Sequence, residues 1–586
     1  MPVRVPAPVK GLVENLPAVT GDPLGAEWLE GFVPTERGIR VRGGIRRAAY
    51  VDGAVKSLHR FVEAGNNKFF AATSSALYDI SDLNPVHQAA PASSGLTSGD
   101  WTAQQIGTSG GDFLIFVNGS DYAHLFDGSD LNPQADQPIS NLSYDGCTSD
   151  FSPGETVAGA ISGATALVAG VVTSGSTSGT LKLGTVTGGS FQDNEAISSA
   201  GGAAIVDGVV SPASAITISG VSTRNLSHAW VYQNRLFFIE KNTLRAWYLP
   251  TASIGGAALD LSLAGVFQKG GSLLFGATWA LDSGSGLDDK CVFVSTEGEV
   301  AIYSGSDPSN ASSWSLQGRY DIGKPIGKRA VMRAGGDLLI ATDDGIVPLS
   351  EALQRDPAAL SLAAVTSRIR DTWDKTVLDY GRDVEILKWT QNNLMLVQFP
   401  GSERMLTANL LTGAWATQGG WRGNCMGEYD GAVFVGRDDG RIYQIDDTGE
   451  DDGVDIVAQA CMSFSDFGNP TSFKRASLAK VAFNAYGDFA YSVSISEDYR
   501  VQFPSAPDPL PDQTDQLVWG FGNWGNKVWK RKGANPRQGR VDLWRAVSGA
   551  GHVMAPVLQV TSSGFEKLDA EILAIDIVVV GGGRVS

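Results

Sequence analysis

The sequence has few of the side chains that most often build catalytic and metal sites. Among its 586 residues are only 5 histidines, and none stands in a spacing typical of zinc ligands. The 4 cysteines lie far apart without a CxxC pair, so we expect buried free thiols instead of a zinc site or a disulfide framework. No GxxxxGKS or GxxxxGKT phosphate loop is present. We therefore expect that the chain is not an enzyme and holds neither a cofactor nor a metal ion.

Positive charge and long apolar runs are also scarce. Lys and Arg number 45 against 63 Asp and Glu, which gives a formal net charge of −18. Such a chain attracts nucleic acid poorly, because phosphate binding needs clustered Lys and Arg, and any contact with DNA would not stick, because an acidic wall repels phosphate. No apolar run approaches the ~20 residues of a membrane-spanning helix, and the N-terminus lacks the apolar core of a signal peptide. We expect no membrane span.

Glycine, in contrast, is abundant at 71 residues, as expected of many tight turns between short strands. A β-rich run, a polar turn and a second run recur seven times, and we interpret each pair as a hairpin with a buried inner strand and an outer strand. One hairpin cannot cover both faces of its sheet, whereas several hairpins stacked around a ring cover one another. The repeat therefore predicts an all-β, irregular propeller of six or seven blades. A series of β-sandwiches is the alternative. The paired runs are 68–73 with 76–80, 113–117 with 124–128, 235–239 with 244–248, 291–295 with 299–303, 337–342 with 345–349, 393–397 with 405–409, and 432–436 with 440–445.

Changes in composition divide the chain into five parts. A helix is predicted near 354–380, where Ile369, Trp373 and Val377 recur at a spacing of four. The predicted parts are an N-terminal arm with short strands (1–50), the first part of the propeller (51–146), an inserted β module (147–217), the second part of the propeller (218–454), and a C-terminal β-sandwich (455–586) with a projecting loop (505–532).

The inserted module is internally duplicated and rich in Gly, Ser, Thr, Ala and Val. Its segment 151–157 (FSPGETV) is echoed by 191–197 (FQDNEAI), and 163–172 is echoed by 201–210. Two short β units of one design predict a small barrel or sandwich that hangs from a loop of the propeller.

Two charged segments flank the propeller. Arg37, Arg40, Arg42, Arg46 and Arg47 make the arm the most basic stretch, which indicates either a solvated strand face or docking onto an acidic neighbour or another subunit. The acidic segment 446–453 (DDTGEDDG) is expected to be a solvated linker. A calcium loop is the alternative, but no frame supplies the alternating oxygens and the glycine that an EF-type loop requires.

The predicted projecting loop of the C-terminal domain combines aromatic and basic residues. In a ring-forming subunit such residues most often pack against the neighbouring subunit, and stacking on bases or sugars is the alternative. The candidate interface or tip residues are Trp519, Trp524, Trp529, Lys530, Arg531 and Lys532.

Three segments resemble one family of virion proteins. The run 23–35 (PLGAEWLEGFVPT), followed by 38–44 (GIRVRGG), resembles the opening of the tail nozzle proteins, also called tail tubular protein B, of short-tailed bacteriophages. The segments 409–415 (NLLTGAW) and 464–468 (FSDFG) with 473–475 (FKR) resemble a late blade and the start of the C-terminal domain of that family. The resemblance gives as candidate residues for docking to the adaptor or a neighbouring subunit Pro23, Gly25, Ala26, Phe32, Pro34, Arg40 and Arg42.

The resemblance implies a structural role in the virion tail, assembled in the host cytoplasm. Six copies are expected to form a ring under the portal adaptor, to carry fibres or spikes, and to let the genome pass without sequence-specific binding. Six chains of −18 would together carry a charge of about −108, which would lower friction with DNA phosphates. The alternative function is a carbohydrate-active or carbohydrate-binding β-propeller. A trimeric fibre or tailspike is a third, but the repeat of a β-helix is missing from the sequence.

Overall fold

The structure is a computed structural model that describes most of the chain. The described residues are 2–16, 21–134, 139–173, 177–214, 217–280, 289–356, 359–485, 489–509, 538–541 and 543–584.

Seven antiparallel units of three or four strands follow one another along the chain and form the blades of a β-propeller, and two of these units, blades one and six, are continued by strands of other parts of the protein. Blades one and two precede the inserted module, and blades three to seven follow it. The strands are Ser57–Phe61, Lys68–Ala72, Ala76–Asp79 and Pro91–Ser94 in blade one; Thr102–Thr108, Gly111–Val117, Ala123–Phe126 and Leu131–Gln134 in blade two; Leu226–Tyr232, Arg235–Glu240, Arg245–Tyr248 and Leu259–Ser262 in blade three; Leu273–Trp279, Lys290–Ser295, Glu299–Gly305 and Trp314–Asp321 in blade four; Val331–Ala334, Asp337–Thr342 and Gly345–Pro348 in blade five; Glu385–Trp389, Leu394–Gln398, Met405–Asn409 and Trp415–Gln418 in blade six; Cys425–Tyr429, Ala432–Gly436, Arg441–Gln444 and Arg46–Tyr50 in blade seven.

The ring closes because every blade shares an apolar core with the next. Clusters of buried side chains fill the seven interfaces, including the one between the last blade and the first, and the cluster between blades five and six continues into the core of the C-terminal region. At that closing interface Phe69 of blade one stacks on Tyr429 of blade seven, with ring centroids 4.9 Å apart. Blade seven takes its fourth strand, Arg46–Tyr50, from the start of the chain, so that sequence-distant strands lock the ring.

In six blades the predicted hairpins are the two middle strands, not an inner and an outer strand, and in the three-stranded blade five they are the middle and the outer strand. In all seven blades another strand precedes the predicted pair and lies closer to the axis. These inner strands escaped prediction because the side chains that face the axis are polar, as in Ser57–Phe61 (SLHRF) and Thr102–Thr108 (TAQQIGT). A strand exposed to an internal cavity lacks the continuous apolar run by which a buried strand is recognised.

The inserted module forms one sheet around its own core and touches the end of blade one through a bridge between Val171 and Ser94. It begins at residue 139, eight residues before the predicted boundary. Its repeats brace each other: Glu195 accepts hydrogen bonds from the backbone N–H groups of Ile161 and Ser162 at 3.0 and 2.9 Å, and Ser199 donates to Glu155. Its strands are Ile139–Ser149, Thr156–Gly159, Thr165–Thr173, Gly179–Leu183, Ala196–Ser198, Ala203–Val206 and Ser211–Ser214.

The C-terminal region is a sandwich of two sheets that share one core, but it is not built from residues 455–586 alone. The predicted arm is not separate: three of its strands join one sheet and a fourth joins the other. The first sheet contains Pro2–Pro6, Phe32–Pro34, Ile39–Val41, Ser472–Ala485, Gln538–Val541, Arg545–Gly551 and Ala570–Arg584, and the second contains Ala26–Glu30, Ile456–Met462, Ala490–Glu497 and Met554–Ser562. Ala26–Glu30 also contacts the outer strand of blade six, through Glu30 and Thr417.

Helical structure in the described residues is limited to blade five, its junction with blade six and one turn before blade three. The predicted helix near 354–380 is divided, because Ala364 adopts an extended backbone that ends one short helix before the next turn begins. Trp373 packs the longest of the described helices, Arg370–Tyr380, against Phe399. None of the helices in the described residues is long and apolar enough to cross a membrane. The α-helices are Leu349–Ala352, Leu360–Ala363 and Arg370–Tyr380, and the 3-10 turns are Thr223–Asn225 and Val365–Ile369. Apart from the helices, a two-stranded parallel ladder pairs Ile218–Ser219 with Gly256–Ala257.

Candidate functional site

The residues singled out in the N-terminal motif lie mostly inside the protein. Phe32 and Ala26 are buried in the sandwich core. Gly25 and Pro34 are also buried, and only Pro23 is exposed. The expectation that these side chains form a docking surface is therefore corrected, because all but one of the uncharged residues pack within their own chain.

Arg40 is engaged in the same way. Its guanidinium makes a two-point ion pair with Asp446, at 3.1 Å from Nη1 to Oδ1 and 2.9 Å from Nη2 to Oδ2. The Asp446 carboxylate also accepts from the backbone N–H of Gly43 and from Nζ of Lys567, each at 2.6 Å. Burial alone would raise the pKa of Asp446, but Arg40 and Lys567 outweigh it and hold that pKa below its usual value.

Three further arginines pair with the acidic segment. Arg42, which is buried, contacts Asp451 through two hydrogen bonds of 2.8 and 2.5 Å. Arg46 and Arg47, both half-exposed, pair at 2.6 Å with Asp447 and 2.8 Å with Asp452, respectively. We call residues 40–47 and 446–452, held together by these four pairs, the clasp. The acidic segment is thus not a solvated linker: the acidic neighbour of the basic arm belongs to the same chain.

Two glycines of the motif allow the clasp to close. A Cβ atom on Gly43 would lie 2.5 Å from the carbonyl carbon of Asp446, and one on Gly44 would lie 1.9 Å from the carbonyl oxygen of Glu450. The two segments are also joined by backbone hydrogen bonds, from Gly44 N–H to the Thr448 oxygen at 2.7 Å among others. Any larger residue would push them apart.

Another segment of the resemblance meets the N-terminal motif. The side-chain amide of Asn409 donates to the backbone oxygen of Pro34 at 2.9 Å, which ties blade six to the N-terminal strands. The candidate tip residues Trp519 to Lys532 lie outside the described residues.

The second candidate site is a cavity of about 890 Å³ on the axis of the propeller. Inner strands of blades one to six line it, and we call it the axial well. Gln105, Asn234 and Arg333 lie toward its mouth, where Asn234 and Arg333 are exposed to solvent. At the other end Lys328 and Arg329, just before blade five, reach across the axis and form its floor.

The floor is a network of two cations and two carboxylates. Nζ of Lys328 lies 2.9 Å from Oδ2 of Asp100 and donates to the Asp100 backbone oxygen at 2.6 Å. Arg329 spans wider gaps: Nη2 is 3.4 Å from Oδ1 of Asp100, and Nε is 3.9 Å from Oε1 of Glu385. The other oxygen of Glu385 accepts from the backbone N–H of Met426 at 2.8 Å. These contacts join blades one, two, six and seven to the start of blade five.

Two histidines in the wall of the well are neutral. Burial lowers the pKa of His228 to about 4. Burial, together with the nearby charges of Arg329 and Lys328, lowers the pKa of His59 to about 3. Nε2 of His228 lies 3.0 Å from the carbonyl oxygen of Gly276, so this nitrogen carries the proton and Nδ1 is an acceptor. Nδ1 of His228 and Nε2 of His59 have no hydrogen-bond partner among the described residues.

Sequence reasoning missed the axial well entirely. Its residues come from six blades, and no two of its polar side chains form a local motif. The one usable signal was the Lys328-Arg329 pair immediately before a strand, which composition alone does not separate from a surface pair.

The cysteines were predicted as buried free thiols, and this is confirmed for Cys291, Cys425 and Cys461. Burial raises the pKa of Cys461 to about 12, so its thiol stays protonated. Cys147 is also free but partly exposed. Within the described ranges, no three His, Cys, Asp or Glu side chains come close enough to hold a metal ion.

Comparison with known proteins finds likenesses only among solved structures. No family model and no curated protein matches the sequence. Among solved structures, the WD40 repeats of RRP9 are 10% identical, with a TM-score of 0.31 over 69% of this chain and 99% of that one. The β-propeller domain of Cps50 (Swd1) from Myceliophteria thermophila is 9% identical, with a TM-score of 0.27 over 70% and 100%. YCF48 from Cyanidioschyzon merolae is 7% identical, with a TM-score of 0.28 over 69% and 98%.

Proposed function

We propose that this chain is the subunit of a ring-shaped tail nozzle of a short-tailed bacteriophage. In this role it is a structural part of the virion tail, works through shape and not through catalysis, and is assembled in the host cytoplasm. Six copies surround the path of the genome below the portal adaptor and carry fibres or spikes. The observation that supports this best is that the resembling N-terminal segment joins the propeller to the sandwich.

The mechanical argument rests on how the two parts are joined. Domains linked by a single flexible connection move relative to each other by default. Here the chain passes between sandwich and propeller twice, and the clasp holds both passages side by side. Strand Ala26–Glu30 adds a third connection by bonding both to blade six and to the sandwich. A part that transmits force between portal and fibres requires such a joint without a hinge.

The proposal also requires a path for DNA. The floor of the axial well blocks the propeller axis, because Lys328 and Arg329 reach from blade five to the strands on the opposite side. In the proposed ring, DNA therefore passes between the subunits, along the common axis of the assembly. Acidic surfaces facing that axis would repel phosphate and keep DNA from sticking.

The test is a mass measurement of the purified protein, alone and after mixing with virion extract. We expect a species of about 370 kDa, six copies of the 61.7-kDa chain, or a larger complex that contains the adaptor. Image averaging of the same sample should show six-fold symmetry. A single-chain mass in both samples would overturn the proposal, as would association only into trimers.

A further inference from the structure

The outer face of the first sandwich sheet carries aliphatic side chains where polar residues are expected. An antiparallel sheet with one face on a core usually alternates apolar and polar residues along each strand. In strand Ala570–Arg584 the outward-facing Val578 is only half-buried, and Val580 is 55% exposed. On the neighbouring strand Ser472–Ala485, Leu478 lies directly opposite Val578 and is half-buried as well. Exposed aliphatic side chains grouped in this way are typical of a surface that a partner covers.

Positive charge surrounds these aliphatic side chains. Arg475 lies opposite Val580, is exposed, and has no ion-pair partner among the described residues. Arg4 and Lys480 share one carboxylate, that of Asp576, at 2.7 and 3.3 Å. Three cations and one carboxylate give this surface a net charge of +2, although the whole chain carries −18. We call the sandwich face the residues Arg4, Arg475, Leu478, Lys480, Val578 and Val580.

The inserted module has the opposite charge. Residues 139–214 include six carboxylates and a single cation, Lys182. The amine of Lys182 donates to the side chain of Asn132 in blade two at 2.9 Å. The carboxylates on the exposed surface of the module are therefore not neutralised by cations of the module itself.

Part of this acidic surface is also apolar. On neighbouring strands Asp145 lies directly opposite Ile205, which is 40% exposed. Asp207 and Val209 follow the strand of Ile205 and are exposed, and the carboxylate of Asp193 accepts from the backbone N–H between them at 2.8 Å. None of the three aspartates has an ion-pair partner among the described residues. We call the module face the residues Asp145, Asp193, Ile205, Asp207 and Val209.

We propose that the sandwich face of one copy binds the module face of the next copy in the ring. Both faces combine exposed aliphatic side chains with unpaired charges, and these charges are opposite in sign. Between copies of an acidic chain most surfaces repel each other, so a positively charged face selects the most acidic surface of its neighbour. Because the two faces differ, the contact is head-to-tail, and such contacts close into a ring when the rotation between copies allows it. This inference rests on the proposed nozzle and gives the inserted module a role in it.

The experiment compares the mass of the full chain with that of two charge-reversed variants, alone and in virion extract. The sandwich variant carries Arg475→Glu and Val580→Glu, and the module variant carries Ile205→Lys and Asp207→Lys. All four positions are exposed, so both variants should fold and melt near the temperature of the wild type. We expect the wild type to form the six-chain species and each variant alone to lose it and remain a single chain.

A mixture of the two variants distinguishes a broken contact from a damaged fold. The sandwich variant keeps an intact module face, and the module variant keeps an intact sandwich face, so that one contact between them remains possible. We expect the mixture to form a two-chain species that neither variant forms alone. Two damaged chains would not regain this contact on mixing.

Arg382→Glu and Asp438→Lys are the matched controls, because both positions are exposed and lie outside the two faces. Each control should assemble as the wild type does. Six-chain assembly of either face variant, or a mixture without the two-chain species, would overturn this inference and leave the nozzle role intact. A wild type that remains a single chain in both samples would overturn the nozzle role and this inference together. Should a face variant fail to fold, Arg475→Ala or Asp207→Ala replaces it and should weaken assembly several-fold; unchanged assembly would contradict the inference.

Discussion

The protein holds opposite charges together in two places, and the two are built differently. In the clasp, Asp446 accepts from Arg40, Lys567 and the Gly43 N–H at 2.6–3.1 Å. On the floor of the axial well, Arg329 is buried to a similar extent, but its contacts measure 3.3–3.9 Å. Short two-point pairs stabilise a joint between chain segments, whereas the longer contacts of Arg329 hold its guanidinium less firmly.

Glu385 in the floor and Asp446 in the clasp have pKa values shifted in opposite directions, whereas in Asp100, the other floor carboxylate, burial is outweighed by Lys328 and Arg329 and the pKa is lowered. Burial raises the pKa of Glu385 in the floor, because Arg329 is too distant to compensate. Burial acts on Asp446 as well, but the closer cations of the clasp lower its pKa. The geometry of the counter-charges, not the degree of burial, decides the sign.

The largest effect is expected for Asp446→Ala in the clasp. This change leaves Arg40 and Lys567 without their shared carboxylate in a buried site, and breaking a buried pair in this way costs about 3–5 kcal/mol. We expect the free energy of unfolding, measured in guanidinium chloride by tryptophan fluorescence, to fall by that amount. Asp439→Ala is the matched control: its carboxylate pairs with Arg441 at an exposed site, so the loss should stay below about 1 kcal/mol. Equal losses would show that the clasp is not a stabilising joint.

Acid should weaken the propeller before it weakens the clasp. Burial lowers the pKa of His124 and of His228 to about 4, so the stability that each contributes is complete above pH 6.5 and is lost as pH falls toward 4. At pH 5 each histidine should cost about 2 kcal/mol relative to pH 7. Asp446, with its lowered pKa, loses nothing until the pH falls below about 4. The free energy of unfolding of the wild type and of His228→Phe, measured at pH 7, 6 and 5, tests this prediction. Between pH 7 and pH 5 the variant should lose about 2 kcal/mol less of this free energy than the wild type, and an equal loss in both proteins would contradict the prediction.

The contrast between the two sites also explains what could be predicted from the sequence. The middle strands of each blade are apolar runs such as Phe113–Val117, and local pattern was sufficient to find them and the ring. The inner strands carry His59 and Gln104 toward a cavity, so their pattern resembles that of loops. The sequence also did not show which segment the arm pairs with. Pairing between residues 40 and 446 depends on the closed ring, which brings the two ends of the propeller together.

The same reasoning accounts for the corrected docking residues. A run containing Arg40, Arg42, Gly43 and Gly44 is equally compatible with an exposed basic strand and with a tightly packed joint. Sequence alone does not supply the distance between Gly43 and Asp446, and it is this close approach that requires the glycine.

A smaller effect is expected for Glu385→Gln in the floor. The amide still accepts from the N–H of Met426 and gives up only the 3.9 Å contact with Arg329. Because the pKa of Glu385 is raised in the folded protein, its stabilising contribution is present below pH 4 and declines as pH rises through that pKa. At pH 7 we expect a change within about 1 kcal/mol, compared with about 3 kcal/mol for Asp446→Asn in the clasp. The free energies of unfolding of both variants are measured in guanidinium chloride. A similar loss for Glu385→Gln and Asp446→Asn would contradict the distinction between the two sites.

The smallest effects are expected at the exposed end of the clasp, for Arg46→Ala and Arg47→Ala. Both side chains are half-exposed, so each pair should contribute about 0.2–1 kcal/mol and should weaken further as salt screens it. Arg42→Ala is the comparison within the clasp: it removes a buried two-point partner of Asp451 and should cost several times more at any salt concentration. Thermal unfolding in low and high salt measures all three. Arg46 and Arg47 are the clasp arginines that are also exposed to solvent, so the double variant distinguishes an effect on folding from an effect on assembly. If the double variant unfolds as the wild type does but no longer joins the tail, this end of the arm docks a partner.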